Sequence, residues 1–313
     1  MAVYQTYTAI GQREDLSDVI ANISPTDTPL MSTVGKTKAT ATYHEWQTDS
    51  LADAALGGAV EGADATSATM NPTTRIGNRT QIFQKTIAVA NTLDAVNKAG
   101  RKSEKAYQLA KASSEVKRNI ELSLLSNQVT SAGTATQARI MGGLQTWIST
   151  NGVFNDGTTG SGGTTARVEG TGQTFTEAML KEVVKEVYAS GGKPTILMVS
   201  PAHKQVVSTF AGIAAQRYEA PKSSATTIIG AADVYLSDFG TMSVVPNRFM
   251  NAANQGDTCA LVLDPDYASV SYLRPFSTSE LARTGDSEKT QIICELTLEV
   301  KNEAAHGIIG DLL

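Results

Sequence analysis

The chain has 313 residues, 41% of them hydrophobic, and 26 Lys and Arg against 31 Asp and Glu give a formal net charge of −5. A chain of this size buries roughly three quarters of its unfolded surface, so disorder is not expected, and the acidic balance excludes a surface wholly adapted to nucleic acid. No apolar run approaches the ~20 residues of a membrane span, Met1 to Ile10 lacks the regions of a secretory leader, and Cys259 and Cys294 read as small buried hydrophobes, so a soluble, unexported protein without a disulfide framework is expected.

Asp15 to Ile23 places Leu16, Val19, Ile20 and Ile23 at helical spacing and ends at Ser24-Pro25, because a residue before proline avoids the helical region. This short amphipathic helix fits packing on its own core and docking on a neighbour equally well. Lys36 to Asn91 differs: Thr and Ala dominate, and Gly57, Gly58 and Gly62 interrupt the middle. Tyr43 and Trp46 in the outgoing limb, with Ile82, Phe83, Ile87 and Val89 in the returning limb, predict two strands of a long ribbon with the glycines towards its tip. So long a segment with no core of its own needs a function or a partner.

The ribbon's charge is divided. Glu45, Asp49, Asp53, Glu61 and Asp64 lie on the outgoing side and tip with no Lys or Arg among them, whereas Arg75, Arg79 and Lys85 line the return. Such runs are ordinarily solvated surface. The sharper reading is complementary charge that fixes how ribbons lie on neighbouring subunits.

Val96 to Asn127 has no proline and one early Gly100, which predicts a helix of roughly 48 Å. Its apolar stripe is Leu109, Val116, Ile120 and Leu124. Lys98, Arg101, Lys102, Lys105, Lys111, Lys117 and Arg118 face only Glu104 and Glu115, so this face is either solvated or turned toward phosphates or a neighbour's acidic ribbon.

Asn151 to Gly172 reads as an exposed hairpin or loop. Thr174 and Glu177 make a capping-box pattern before a helix from Ala178 to Ser190, and Gly191 stops it. Thr195 to Val199 is a buried strand, and Pro201 opens a helix through Phe210. Strands follow at Val234 to Leu236, Met242 to Val245, Thr258 to Leu263, Ala268 to Leu273 and Gln291 to Val300, with turns at Asp238 to Thr241 and Asp264 to Tyr267. The fold class is α+β with an inserted ribbon.

Catalytic chemistry is missing from the pattern. His44-Glu45 begins like a zinc-protease helix, but Thr48 stands where the second His belongs. His203 and His306 are isolated, Gly160 to Gly163 lacks the Lys-Ser/Thr of a phosphate loop, and Asp264-Pro265-Asp266 is turn chemistry. No enzyme activity, metal or cofactor is expected.

Four runs resemble the major head proteins of tailed bacteriophages: Asp15 to Leu30, Asp238 to Phe249, Leu263 to Phe276 and Leu296 to Gly307. That family is built on the Hong Kong 97-type capsid fold. The resemblance implies an N-terminal arm (1–34), an extended loop across a neighbouring subunit (35–92), a peripheral domain (93–190) with a spine helix at 96–127, an axial domain (191–275) and a return to the peripheral domain (276–313). It implies pentamers and hexamers in an icosahedral virion shell around double-stranded DNA, assembled in the host cytoplasm, with separate scaffold and portal proteins and a decoration protein as further partners. A nanocompartment shell of the encapsulin type shares this fold and is the alternative; an unrecognised hydrolase is a more distant one. Some relatives join a loop-tip Lys covalently to a neighbour's Asn. Here no Lys occurs between Lys38 and Lys85, so no such cross-link is expected.

Overall fold

The computed structural model describes residues 26–313 except 53, 55, 59, 63, 65, 66, 68, 69, 71, 97–102 and 211–232. The expected helix at 15–23 and the charged residues Asp53, Lys98, Arg101 and Lys102 lie outside the described residues. In chain order the elements are α1 (Pro29–Thr33), β1 (Gly35–Lys38), β2 (Tyr43–Thr48), β3 (Thr74–Arg79), β4 (Gln81–Ala90), α2 (Asn91–Ala95), α3 (Glu104–Leu124), β5 (Gly152–Val153), α4 (Glu177–Ala189), β6 (Ile196–Val199), α5 (Pro201–Val207), β7 (Val234–Ser237), β8 (Gly240–Pro246), β9 (Ala260–Leu263), β10 (Ala268–Leu281), β11 (Ser287–Val300) and β12 (Gly307–Ile309).

Two sheets carry the fold. The first has the order β1-β10-β11-β4, with β11 antiparallel to both its neighbours and β1 parallel to β10. From Ile292 on, every second residue of β11, namely Ile292, Cys294, Leu296, Leu298 and Val300, enters one core with Ala112, Val116, Ile120 and Leu124 of α3. The period of two in the strand meets the 3.6-residue period of the helix, and burial of both stripes stabilises the pair. Of the stripe expected on α3, Val116, Ile120 and Leu124 are buried and Leu109 is partly buried at the edge.

The helix itself is shorter than expected. Its 21 residues span roughly 32 Å. The chain leaves the short α2 through an extended Val96, and Ser103 caps α3 by accepting from the Ala106 N–H. The ribbon is shorter too, because β4 pairs with β11 in the sheet and is not its returning limb.

The second sheet has the order β5-β12-β9-β6-β8-β7, covered by Leu180, Val183, Val184 and Val187 of α4. Gly191 ends α4 with φ +92, as its left-handed geometry requires. The expected capping box does not form: the N-cap is Thr176, without a side-chain bond, and Glu177 instead pairs with Lys181 and accepts from the Tyr235 hydroxyl. α5 stops at Val207, β10 runs on to Leu281, and β11 starts earlier, at Ser287. β12 joins this second sheet, so a division of the chain at 275 does not coincide with the sheets.

Cys259 and Cys294 are buried and unbridged, and burial pushes each thiol up to about 12, which leaves them inert. Burial pushes His306 down to about 4, and its Nδ1 accepts from the Asp264 N–H. The Asp264 carboxylate accepts from the Asp266 N–H, the turn chemistry expected there.

One buried acid ties the elements together. Glu121 of α3 is fully buried; its Oε1 accepts from the Leu30 N–H at 2.7 Å and from Asn247 Nδ2 at 2.7 Å, and its Oε2 accepts from the Met31 N–H at 2.9 Å. Leu30 and Met31 are in the first turn of α1, where amides lack helical partners and favour an anion. Burial pushes the Glu121 pKa up against the pull of these three bonds. Glu121→Ala is expected to destabilise the chain by about 3 kcal/mol, because three buried donors lose their acceptor. Glu121→Gln, whose amide would face the Met31 N–H, is expected to cost about 1 kcal/mol. Urea unfolding of the unassembled chain checks both, and an Ala variant as stable as the parent contradicts this role.

Candidate assembly surface

Strands β2 and β3 form an antiparallel ribbon in which Tyr43 faces Arg79, Glu45 faces Gly77 and Thr48 faces Thr74. Gly77 is required there, since a Cβ would lie 2.7 Å from both the His44 carbonyl oxygen and the Glu45 side chain. Arg75 donates through Nε to Glu45 Oε1 at 2.7 Å and through a second nitrogen to Oε2. Arg79 lies 5.0 Å from the centre of the Tyr43 ring.

The root of the ribbon is fastened to the first sheet. Asn78 is fully buried; its Nδ2 donates to the Leu298 carbonyl at 2.9 Å and the Gly142 carbonyl at 3.0 Å, while its Oδ1 accepts from the Gly142 N–H at 2.8 Å. Trp46 meets Trp147 with ring centres 5.4 Å apart. The residues of β11 that alternate with its core residues, Glu295, Thr297 and Glu299, are polar yet buried. Glu299 takes His44 Nε2 at 3.1 Å, the Thr37 hydroxyl at 2.9 Å and the Ser271 hydroxyl at 2.7 Å. Burial raises its pKa, but the bonds from Ser271, His44 and Thr37 outweigh burial and hold it below the usual carboxylate value. Glu295 accepts from the Thr80 hydroxyl at 2.7 Å, from Arg274 Nε at 2.8 Å and from Arg139.

The tip is the opposite of the root. The described residues of 49–73 form neither helix nor strand, and Leu51, Val60 and Met70 are 96%, 78% and 90% exposed. Glu61 and Asp64 are exposed with them, and Asp49 accepts from the Ser50 N–H. Apolar side chains displayed on a segment without its own core mark a surface for another chain.

The charged residues singled out from the sequence divide accordingly. The positive charge expected on the returning limb is largely used inside the chain: on β3 Arg75 pairs with Glu45 and Arg79 covers Tyr43, and Lys85, which lies on β4 of the first sheet, pairs with Glu115 of α3. Antiparallel pairing makes residues 45 and 75 diagonal neighbours, so they cancel each other. Among the described acidic residues of the ribbon, Asp49, Glu61 and Asp64 of the tip have no cation paired with them. On α3, Lys105 binds Glu280 at 2.7 Å and Glu288 at 3.0 Å, and Arg118 lies 5.7 Å from the centre of the Phe249 ring, whereas Lys111 and Lys117 are exposed. Sequence reasoning missed Asn78, Arg139 and Trp147, whose partners are distant in the chain.

Among the described residues no cluster of three or more His, Cys, Asp or Glu is placed to hold a metal, and no helix is long and apolar enough to cross a membrane. The sequence profile of the SU10 major capsid protein family matches residues 3–313. The chain belongs to the SU10 major capsid protein family. It is 26% identical to the major capsid protein of Escherichia phage Phieco32 over 98% of this chain and 96% of that protein. Its fold is the Hong Kong 97-type capsid fold: the capsid asymmetric unit of cyanophage A-1(L) superposes with a TM-score of 0.71 at 12% identity, covering 96% of this chain and 97% of that one. The holo-SrpI encapsulin complex from Synechococcus elongatus PCC 7942 shares the fold at a TM-score of 0.57 and 11% identity, with 96% and 92% covered. The family match over residues 3–313, with the curated relative, makes the chain a phage major capsid protein, a reading better supported than the encapsulin alternative of the same fold.

If the root is held as described, Asn78→Ala is expected to speed amide exchange of 43–48 and 74–79 about tenfold while the core of α3 and β11 stays protected. Unchanged exchange in the ribbon contradicts the clamp.

Proposed function

We propose that many copies of this capsid protein assemble in the host cytoplasm into pentamers and hexamers of an icosahedral head enclosing double-stranded DNA, with no catalytic role. Residues 1–34 are the arm, 35–92 the extended loop, 93–190 with 276–313 the peripheral domain, and 191–275 the axial domain. The observation that carries this reading is the ribbon whose root is clamped by Asn78 and Trp46 while its tip shows Leu51, Val60 and Met70 to the outside. A lone subunit gains nothing from such a display; a shell gains overlap between neighbours. The exposed Lys111 and Lys117 of α3 are the residues left to meet DNA phosphates or a neighbour. Scaffold and portal are separate proteins, and a decoration protein is a further partner.

Replacing 49–73 by a short Asn-Gly turn between Thr48 and Thr74 preserves the paired strands and removes the tip. The expected result is a folded, unassembled chain and no closed shells by negative-stain microscopy. Normal shells from that variant contradict the role given to the ribbon.

A further inference from the structure

The polar half of α3 carries cations that its own chain leaves unanswered. The acids of the helix are all occupied: Glu104 accepts from Gln108 Nε2 at 2.7 Å, Glu115 pairs with Lys85, and Glu121 is buried against Leu30, Met31 and Asn247. Of the cations of α3, Lys105 has acidic partners, Glu280 and Glu288. Among the described residues Lys111, Lys117 and Arg118 have none, and Lys111 and Lys117 are exposed. Lys111 and Arg118 are seven residues apart, so they stand on one line of the helix about 10 Å apart along its axis, with Lys117 to one side.

The turn after β8 adds a further cation and holds it in place. Asn247 Nδ2 donates to Glu121, Asn247 Oδ1 accepts from the Phe249 N–H at 2.9 Å, and the centre of the Phe249 ring lies 5.7 Å from the Arg118 guanidinium carbon. Arg248 is the exposed residue between these two contacts, so it stands beside the same turn of α3 as Arg118. It too has no acidic partner among the described residues. Arg118 is half-buried: its Nε is buried without an acceptor, and its terminal nitrogens remain accessible. A guanidinium held over a ring loses little freedom on binding, and its fork suits the paired oxygens of a phosphate.

The position of this surface selects its ligand. α3 packs on one face of β11, and the ribbon root bonds Glu295 and Glu299 on the other. The same core takes Ile196, Met198 and Leu261 from one face of the second sheet, whose opposite face carries α4. The cations therefore lie on the side turned from both the ribbon root and α4. Subunits of one closed shell keep the same face toward its inside, so a neighbour's acidic ribbon meets the other side. We propose that Lys111, Lys117, Arg118 and Arg248 form a seat for the phosphodiester backbone of double-stranded DNA, with Arg118 as its fixed centre. The proposal rests on the shell reading above and commits these cations to DNA instead of a neighbouring subunit. Contacts of this kind go to phosphates and not to base edges, so the seat binds without regard to sequence and weakens with salt.

The full chain tests this in two ways. Formaldehyde treatment of DNA-filled particles is expected to link nucleotides to Lys111 and Lys117 about tenfold more often than to Lys185 and Lys193, which are also exposed but belong to α4 and the segment after it. The variant Lys111→Gln, Lys117→Gln, Arg248→Gln changes only exposed side chains, so it keeps the fold. It is expected to bind a duplex of about 30 base pairs roughly tenfold more weakly than the parent at low salt, with a salt slope smaller by about 2.7, ~0.9 for each lost phosphate contact. Lys185→Gln with Lys193→Gln is expected to bind as the parent does. Linkage as frequent at Lys185 and Lys193, or equal duplex binding by the parent and the triple variant, overturns the seat and leaves the shell reading standing. A parent chain that forms no particles overturns the shell reading, and duplex binding then decides on the seat alone.

Discussion

The structure depends on the two-sidedness of β11. From Cys294 to Val300 one set of alternate residues is apolar and joins α3 in the core, while the other set, Glu295, Thr297 and Glu299, is polar and buried. A buried carboxylate must find donors or neutralise itself. Glu299 finds them on β1, β2 and β10, and Glu295 on the residue before β4, on β10 and on the loop at Arg139. The demand of these two acids thus brings together the segments that enter and leave the ribbon. The core side fixes where the helix lies; the polar side fixes where the ribbon starts.

Glu121 does for α1 what Glu295 and Glu299 do for the ribbon. Its bonds join α1, α3 and the turn after β8 at one buried point. Three carboxylates therefore anchor α1 and the root of the ribbon. Among its described residues the tip beyond the root has no such anchor, and under the function proposed above the cost of ordering it falls to a neighbour.

Much of this was legible in the chain because it is local. The stripe of α3, the α4 stop at Gly191, the Asp264 turn and the strand at 291–300 each follow from spacing or from one residue's conformational preference. What failed was non-local. The alternation of Ile82 to Val89 correctly marks a strand, but nothing in it says that the partner is β11, about 200 residues on, instead of β2. The divided charge of the ribbon was visible, yet its cancellation by Arg75 and Glu45 depends on register. Glu121 did carry a signal: it sits on the apolar face between Ile120 and Leu124, where an acid is costly unless it is bonded. The start of α3 was also marked, by Ser103 before Glu104, and the long run of helix formers before it hid that cap.

The central claim is that the chain is a shell subunit whose ribbon is fixed at the root by its own sheet and at the tip by another copy. Hydrogen exchange on the parent protein, compared between unassembled chain and purified particle, tests it most directly. The account predicts that amides of 43–48 and 74–79 are protected in both forms, and that those of 49–73 exchange freely in the unassembled chain and become protected in the particle. Amides of 49–73 that exchange equally fast in both forms would contradict it.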